Sequence, residues 1–292
     1  NNLMFPNEFF SAEKANELYG MYFEELQHCT EVGFDGVMIN EHHNNPLSMM
    51  PSINVIGSVL ARLTKKGKIC FLGNVLPIHE NPLRVAEEVA MIDCISGGRV
   101  VCGFVRGLGQ ESMATNTNPI YNRERFDEAH DLIIKAWTDP GPFRWEGKHY
   151  QFRVVNPWMM PLQKPHPPIW IGGRSRRAVR RAVALGDFWH PTQLPPKELA
   201  AQVDYMRRHS ASVGRETPPQ LSFRGTLNFS NASGPERRPL HGNAEDIAAD
   251  FQEYAQIGVS HVILEIPGES FADKFRAMER FQAEVKPLVP AS

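Results

Sequence analysis

The sequence predicts an α/β protein built as a (β/α)8 barrel, and three observations carry the prediction. Short apolar runs alternate with longer segments of helical period along all 292 residues, and that alternation implies a parallel sheet. The runs, Val100–Val105 above all, are apolar without the two-residue alternation of a half-exposed strand, as expected of strands covered on both faces. No linker or compositional break divides the chain, so one domain over 1–292 is expected, with irregular insertions at about 107–122, 139–168 and 230–243. A doubly wound sheet with a second domain is the alternative.

The elements follow in order. A helix over Glu13–Val32 places Leu18, Tyr22, Leu26 and Cys29 near one face and ends at Gly33, and Phe34–Asn40 is a strand. Pro51 suits the first turn of a helix carrying Ile53, Ile56, Val59, Leu60 and Leu63, and Ile69–Gly73 is the next strand. Asn81-Pro82 opens a helix that runs to about Ile95, with asparagine as cap and proline at the first helical position, and leads to strand Val100–Val105. Arg123–Trp137 is a helix, ended by Asp139-Pro140-Gly141-Pro142, and Phe143–Pro168 is irregular and rich in aromatics and proline. Strand Ile169–Gly172, helix Ser175–Leu185, strand Asp187–His190 and helix Pro196–Val213 come next. The chain closes with strand Gln220–Phe229, a polar loop Ser230–Gly242, helix Ala244–Ile257, strand Ser260–Ile266 and helix Phe271–Val285. That makes seven strands, each followed by a helix. The first helix has no strand before it, so the eighth strand of the barrel is expected ahead of Asn1. Gly33, Gly186 and Gly258 sit at three similar helix ends and are expected to be left-handed caps.

Composition narrows the function. Hydrophobic residues make up 42% and charged residues 22%, and the formal charge is −2, which argues against a nucleic-acid or anionic-membrane surface. No apolar run has the length of a membrane span and the first residues do not form a signal peptide. Cys29, Cys70, Cys94 and Cys102 are scattered through apolar patterns without pairing, and are expected to be buried reduced thiols of a cytoplasmic protein.

Polar residues collect where the strands end: Asn40-Glu41-His42-His43, Gly73-Asn74, Arg106, Arg174-Ser175-Arg176, His190 and Glu265. In a barrel those ends form one mouth, where the active site belongs. Arg106 follows the buried run Val100–Val105 and enters the bend Gly107-Leu108-Gly109, which suits a phosphate. In Gly172-Gly173-Arg174-Ser175-Arg176-Arg177 two glycines run into a helix start, whose free amides and arginines form a second phosphate element; an exposed basic first turn is the alternative. Arg177, Arg180 and Arg181 are expected to be solvated. Gly107-Leu108-Gly109-Gln110-Glu111-Ser112 imitates a dinucleotide fingerprint but lacks the third glycine, and Met113–Pro119 is a poor helix, so it is set aside. No metal site is expected: neighbouring strand residues point to opposite faces, so His42 and His43 cannot share an ion. One of them suits acid/base work, with structural hydrogen bonding as the alternative.

These residues resemble the bacterial luciferase-like flavin monooxygenase family. The matching pieces are Gly33-Phe34-Asp35-Gly36, Glu41-His42-His43, Asn81-Pro82-Leu83-Arg84-Val85-Ala86-Glu87-Glu88, Ile92-Asp93, Ser96-Gly97-Gly98-Arg99, Gly103-Phe104-Val105-Arg106-Gly107 and the Pro168–Ser175 strand and turn. The resemblance covers most of 13–190 and weakens toward the carboxyl end.

It implies a luciferase-like (β/α)8 barrel with reduced FMN in its mouth. Arg106 and Gly173, Arg174, Ser175 and Arg176 would take the flavin phosphate. Leu72-Gly73 falls where the family often has a non-proline cis peptide, with the flavin ring nearby and Asn74 in reach. His42 matches the family's mouth histidine, proposed to assist proton transfer. Val105 stands where the luciferases proper carry a reactive cysteine, which excludes thiol chemistry there. The implied activity is that of a two-component monooxygenase: a separate flavin reductase supplies reduced FMN, O2 adds to give a flavin C4a-hydroperoxide, and one oxygen enters a small organic substrate. Ser230–Gly242 and Trp145–Trp158 are candidate lids. A homodimer is usual in the family. Gly172–Ala178 and Gly186–Pro191 also resemble F420-dependent oxidoreductases, so F420 with hydride transfer is the alternative to FMN, and a non-catalytic flavin-binding paralogue is a third reading.

Overall fold

The structure is a computed structural model and describes residues 6–44, 48–232, 234 and 237–289. Helix α1 (Ala12–Glu31) precedes β1 (Gly36–Ile39), α2 (Ile53–Leu63), β2 (Lys68–Val75), α3 (Leu83–Ser96), β3 (Val100–Val105), α4 (Gly109–Ala114) and α5 (Asn122–Thr138). Strands β4 (Phe143–Glu146) and β5 (Gln151–Val155) lead to β6 (Ile169–Gly172), α6 (Arg176–Leu185), β7 (Phe188–His190), α7 (Pro196–Ser212) and β8 (Gln220–Thr226). Short strands β9 (Asn228–Phe229) and β10 (His241–Gly242), then α8 (Ala244–Ile257), β11 (Val259–Glu265) and α9 (Phe271–Arg280) complete the order.

Seven strands form one sheet in the order β1-β2-β3-β6-β7-β8-β11, and the pairings β1–β2, β2–β3, β6–β7, β7–β8 and β8–β11 are parallel. The strands succeed one another in chain order with helices between them. A doubly wound sheet would reverse its order part-way, so the topology follows the barrel succession read from the sequence. The chain packs as two compact units, Asn1–Phe23 with Gly36–Ile169, and Glu24–Asp35 with Trp170–Ser292.

In the first unit Ile69, Phe71, Val100, Cys102 and Phe104 of β2 and β3 are buried beside Leu60 of α2, Val85 and Val89 of α3, and Phe126, Leu132 and Trp137 of α5. The indole Nε1 of Trp137 donates to Ala86 O at 3.0 Å, so a large apolar side chain enters the core without an orphaned donor. Arg99, just before β3, is structural. Its guanidinium donates to the carbonyls of Ser96, Lys66, Gly67, Ala61 and Thr64 and to Thr64 Oγ1, closing the end of α2 onto the entry to β2. Fully buried Asp93 on α3 accepts from Gln163 N at 2.9 Å and Gln163 Nε2 at 2.8 Å, which ties the long proline-rich insertion to the helix.

Strands β2 and β3 approach too closely for side chains at one point. A Cβ on Gly103 would stand 2.2 Å from Phe71 O, and one on Gly73 would stand 2.4 Å from Gly103 O. The ladder slips there: Leu72 pairs with Gly103 and Asn74 with Phe104, leaving Gly73 over, and the Leu72-Gly73 peptide is cis as the family resemblance implied.

In the second unit Trp189, Phe223 and Tyr254 are fully buried, with the Phe223 and Tyr254 rings stacked at 4.2 Å. Phe34 stacks on Phe281, and Lys274 pairs with Glu25 at 3.0 Å.

Several expectations change. Strand β2 runs on through Asn74 to Val75 where a stop at Gly73 was expected, because the slipped ladder resumes at Asn74. The stretch after Arg106, expected to be irregular, is helical over Gly109–Ala114, where the side chains of Gln110, Glu111 and Ser112 are buried, and the helix stops before Thr115. Phe143–Pro168 contains the antiparallel hairpin β4–β5. Gly33 and Gly258 take φ of 106°, but Gly186 has φ −112°; its glycine is required because a Cβ would come 2.7 Å from Ile171 Cγ1. Cys94 is exposed, contrary to expectation, while Cys70 and Cys102 are buried and burial pushes both thiols up. Residues 233, 235 and 236 of the expected lid loop lie outside those described. The rest of that loop is tied down: Ser230 N donates to Gly242 O at 3.0 Å, and Arg237 grips Asp250 through bonds of 2.6 and 2.8 Å.

Gly103→Ala is expected to cost more than about 2 kcal/mol of stability, since the new methyl meets backbone on the neighbouring strand. Urea denaturation of the two proteins checks it, and an unchanged midpoint contradicts the close approach.

Candidate functional site

In the first unit the site grows from the ends of three neighbouring strands. Beyond β1, Glu41 is buried and accepts from Ile53 N at 3.3 Å, with His43 Nε2 at 3.4 Å. His42 turns the other way, its Nδ1 lying 3.1 Å from Glu111 Oε1. The adjacent histidines thus serve different partners, and among the described residues no group of three metal-ligating side chains comes together.

On β2, Leu72 is half-buried and Gly73 and Asn74 are buried. Asn74 is 0% exposed, and neither its side-chain oxygen nor its nitrogen has a hydrogen-bond partner among the described residues. An amide with two donors and an acceptor, dry and unpaired, carries a desolvation cost of roughly 1–3 kcal/mol that a bound polar group would relieve. Val75 pairs with Val105, so Arg106 emerges from β3 one residue beyond the strand pair that carries Asn74. Its side chain is exposed and has no ion-pair partner among the described residues. Gly107 turns the chain at φ 71°, where a Cβ would strike Val75 Cγ1 at 2.5 Å.

Sequence reasoning missed Glu111. It lay in the fragment set aside as a false dinucleotide fingerprint, and the only signal for it was an acidic residue just past the Arg106 bend. The carboxylate is 1% exposed, and its Oε2 accepts from Leu108 N at 2.6 Å. Next to it Gln110 Nε2 donates to His43 O at 2.8 Å. Helix α4 therefore braces both histidines.

His79, after β2, was also missed. Burial lowers its pKa, opposed by the charges of Glu41 and Glu88, and its Nε2 is buried without a partner among the described residues.

The second unit carries the basic turn. Gly173, at φ 121°, donates its amide to His190 O at 3.0 Å, and Trp189 Nε1 donates to Gly173 O at 2.7 Å. The Gly173 amide is thereby used up, which corrects the expectation that it is free for an anion. Ser175 caps α6, its hydroxyl accepting from Ala178 N at 3.2 Å. Arg174 is exposed, and Arg176 lies over the Tyr205 ring at 5.2 Å. Arg177 and Arg180 are exposed as expected, Arg180 donating to Tyr205 Oη at 2.7 Å, while Arg181 is half-buried, which corrects the expectation for that residue.

The sequence matches the luciferase-like monooxygenase family over residues 22–232. The chain belongs to the luciferase-like monooxygenase family. It is 30% identical over 179 residues, 60% of its length, to the oxygenase component of the flavin-dependent trigonelline monooxygenase of Acinetobacter baylyi. The match takes in 48% of that relative and 64% of another curated one, so the chain spans half to two thirds of their lengths. Its fold is that of the FMN-bound oxygenating constituent of 3,6-diketocamphane monooxygenase from Pseudomonas putida (TM-score 0.79, 17% identity, 97% of this chain and 96% of that one). An F420-dependent secondary alcohol dehydrogenase has the same fold (TM-score 0.77, 15% identity, 92% and 94%). Flavin-dependent monooxygenases thus stand among the relatives of this family member, and its fold is shared with users of FMN and of F420. No described helix is long and apolar enough to cross a membrane.

His190, at the end of β7, is buried with its Nδ1 2.7 Å from Ser222 Oγ, and burial, aided by the charge of Arg224, pushes its pKa down to about 4. The unfolded chain therefore takes up this proton first as pH falls, and stability should drop between about pH 6.5 and pH 4. By pH 5 the loss from this group is on the order of 2 kcal/mol. His190→Gln should lose correspondingly less between pH 7 and pH 5 in denaturant titrations; an equal loss in both proteins contradicts the assignment.

Proposed function

We propose that this chain is the oxygenase of a two-component flavin monooxygenase, which holds reduced FMN beside Leu72, Gly73 and Asn74 and uses O2 to oxygenate a small organic substrate. The observation that carries the reading is the unpaired, fully buried Asn74 amide at the strand ends beside an exposed arginine. A flavin ring edge offers alternating donors and acceptors that match such an amide, and its phosphate matches Arg106. The residues present therefore fit the cofactor. When bound, reduced flavin supplies the reducing electrons and the reactivity toward oxygen.

The chain's own contribution is positioning and proton management. The glycines at 73 and 103 let backbone come close where a flat ring would lie, and Asn74 would hold that ring's polar edge. Arg106 would fix the phosphate end. The turn Gly173-Arg174-Ser175-Arg176 of the second unit is proposed by itself as a phosphate-binding element, through the exposed Arg174 side chain and the amides that open α6, with Gly173 shaping the turn. His42 would hold or pass a proton at its Nε2, the ring nitrogen that does not face Glu111. A separate reductase is the partner that fits, as the word "component" in the name of the Acinetobacter relative suggests. A cytoplasmic setting belongs to the same proposal.

F420-dependent hydride transfer is the second reading. Exposed Arg174, Arg176 and Arg177 favour it, because they suit the acidic tail of that cofactor.

The proposal extends to a homodimer. Helices α2 and α3 expose Val55 at 60%, Leu63 at 40%, Met91 at 46% and Ile95 at 54%, an apolar face that a second copy would cover. Wild-type protein should elute as a dimer in size-exclusion chromatography and Ile95→Glu as a monomer. A monomeric wild type refutes this part.

The cofactor assignment is tested by anaerobic titration with reduced FMN and with reduced riboflavin, which lacks the phosphate. Wild type should prefer reduced FMN by at least tenfold, and Arg106→Ala should bind it on the order of tenfold to a hundredfold more weakly, the value of one charge-assisted contact. An unchanged dissociation constant in the variant removes Arg106 from the phosphate site.

A further inference from the structure

We infer that Glu111 is the positioning residue for His42, fixing the proton on Nδ1 so that Nε2 is the nitrogen offered for proton transfer. The inference rests on the proposed role of His42, but its geometry stands apart from that role. Glu111 is a nearly fully buried carboxylate, and its two oxygens have different partners: Oε1 lies 3.1 Å from His42 Nδ1, and Oε2 takes the Leu108 amide at 2.6 Å. An ionised carboxylate only accepts hydrogen bonds, so the Nδ1 facing it must be the protonated nitrogen. The neutral ring then keeps its lone pair on Nε2. His42 is 34% exposed, and Nε2 has no partner among the described residues.

Every part of the brace serves this contact. Gly107 turns at φ 71° hard against Val75, bringing Glu111 back toward the end of β1. Gln110 fixes the backbone at His43 O, so Glu111 is left to fix the neighbouring ring. The Leu108 amide leaves the other oxygen of this buried carboxylate in need of a donor, and the donor it meets is His42 Nδ1, so the contact that satisfies Glu111 also fixes the ring.

The isosteric variant Glu111→Gln makes a sharp test. The Leu108 amide is a donor and would claim the glutamine oxygen, which turns the glutamine NH2 toward His42. A donor facing Nδ1 forces Nδ1 to accept, and the ring proton moves to Nε2. We expect nitrogen NMR of ring-labelled protein, at about pH 8.5 where an ordinary imidazole is neutral, to show the Nδ1–H tautomer of His42 in wild type and the Nε2–H tautomer in Glu111→Gln. The His42 signals are identified by their loss in His42→Gln. An Nε2–H tautomer in wild type overturns the inference whether or not the variant folds, and so does a tautomer unchanged by Glu111→Gln. Reduced-FMN binding is titrated in the same samples. If wild type fails to bind reduced flavin while the tautomer inverts as expected, the cofactor reading falls and the positioning of His42 by Glu111 stands.

Discussion

The site depends on one steric constraint, the near-contact of β2 and β3 at Gly73 and Gly103. No residue with a Cβ fits at either position without displacing backbone. The ladder slips by one residue there and resumes with Asn74 opposite Phe104. That slip carries the polar Asn74 side chain into a fully buried position, where it finds no partner among the described residues. The fold thus bears an unrelieved polar cost at one point of an otherwise apolar strand pair, which is where a bound polar group contributes most.

The same logic governs the buried carboxylates. Asp93 and Glu111 are both enclosed, and each has donors aimed at it: Asp93 from Gln163 alone, Glu111 from the Leu108 amide with His42 beside it. The first is a rivet that holds an insertion to the barrel helix α3. The second engages a half-exposed imidazole, so its geometry reaches solvent. Burial makes both rigid; the partner decides which one bears on chemistry.

Much of this was legible in the sequence, for identifiable reasons. Val100–Val105 is apolar on both faces and announced a covered parallel strand, and the glycines at 33 and 258 announced left-handed helix ends. Arg106 and the Arg174 turn stood out because charge follows apolar strand. What stayed hidden depended on contacts between distant residues. Glu111 reads as one more acidic side chain until the Gly107 turn brings it to His42, 69 positions away. Gly186 looked like Gly33 in sequence, yet its glycine answers to Ile171 and not to a left-handed backbone. Helix α4 was hidden because it is only six residues long and sits between the glycines at 107 and 109 and the poorly helical stretch that follows; burial of Gln110, Glu111 and Ser112 accompanies it.

The polar strand ends of this luciferase-like chain are proposed to hold reduced FMN. The most direct measurement is side-by-side anaerobic binding of reduced FMN and of F420 to the wild-type protein, followed by quenching of its intrinsic fluorescence. Saturable one-to-one binding of reduced FMN is expected, lost on replacing Asn74 by leucine, with F420 weaker by at least tenfold. Tight F420 binding without binding of reduced FMN would contradict it.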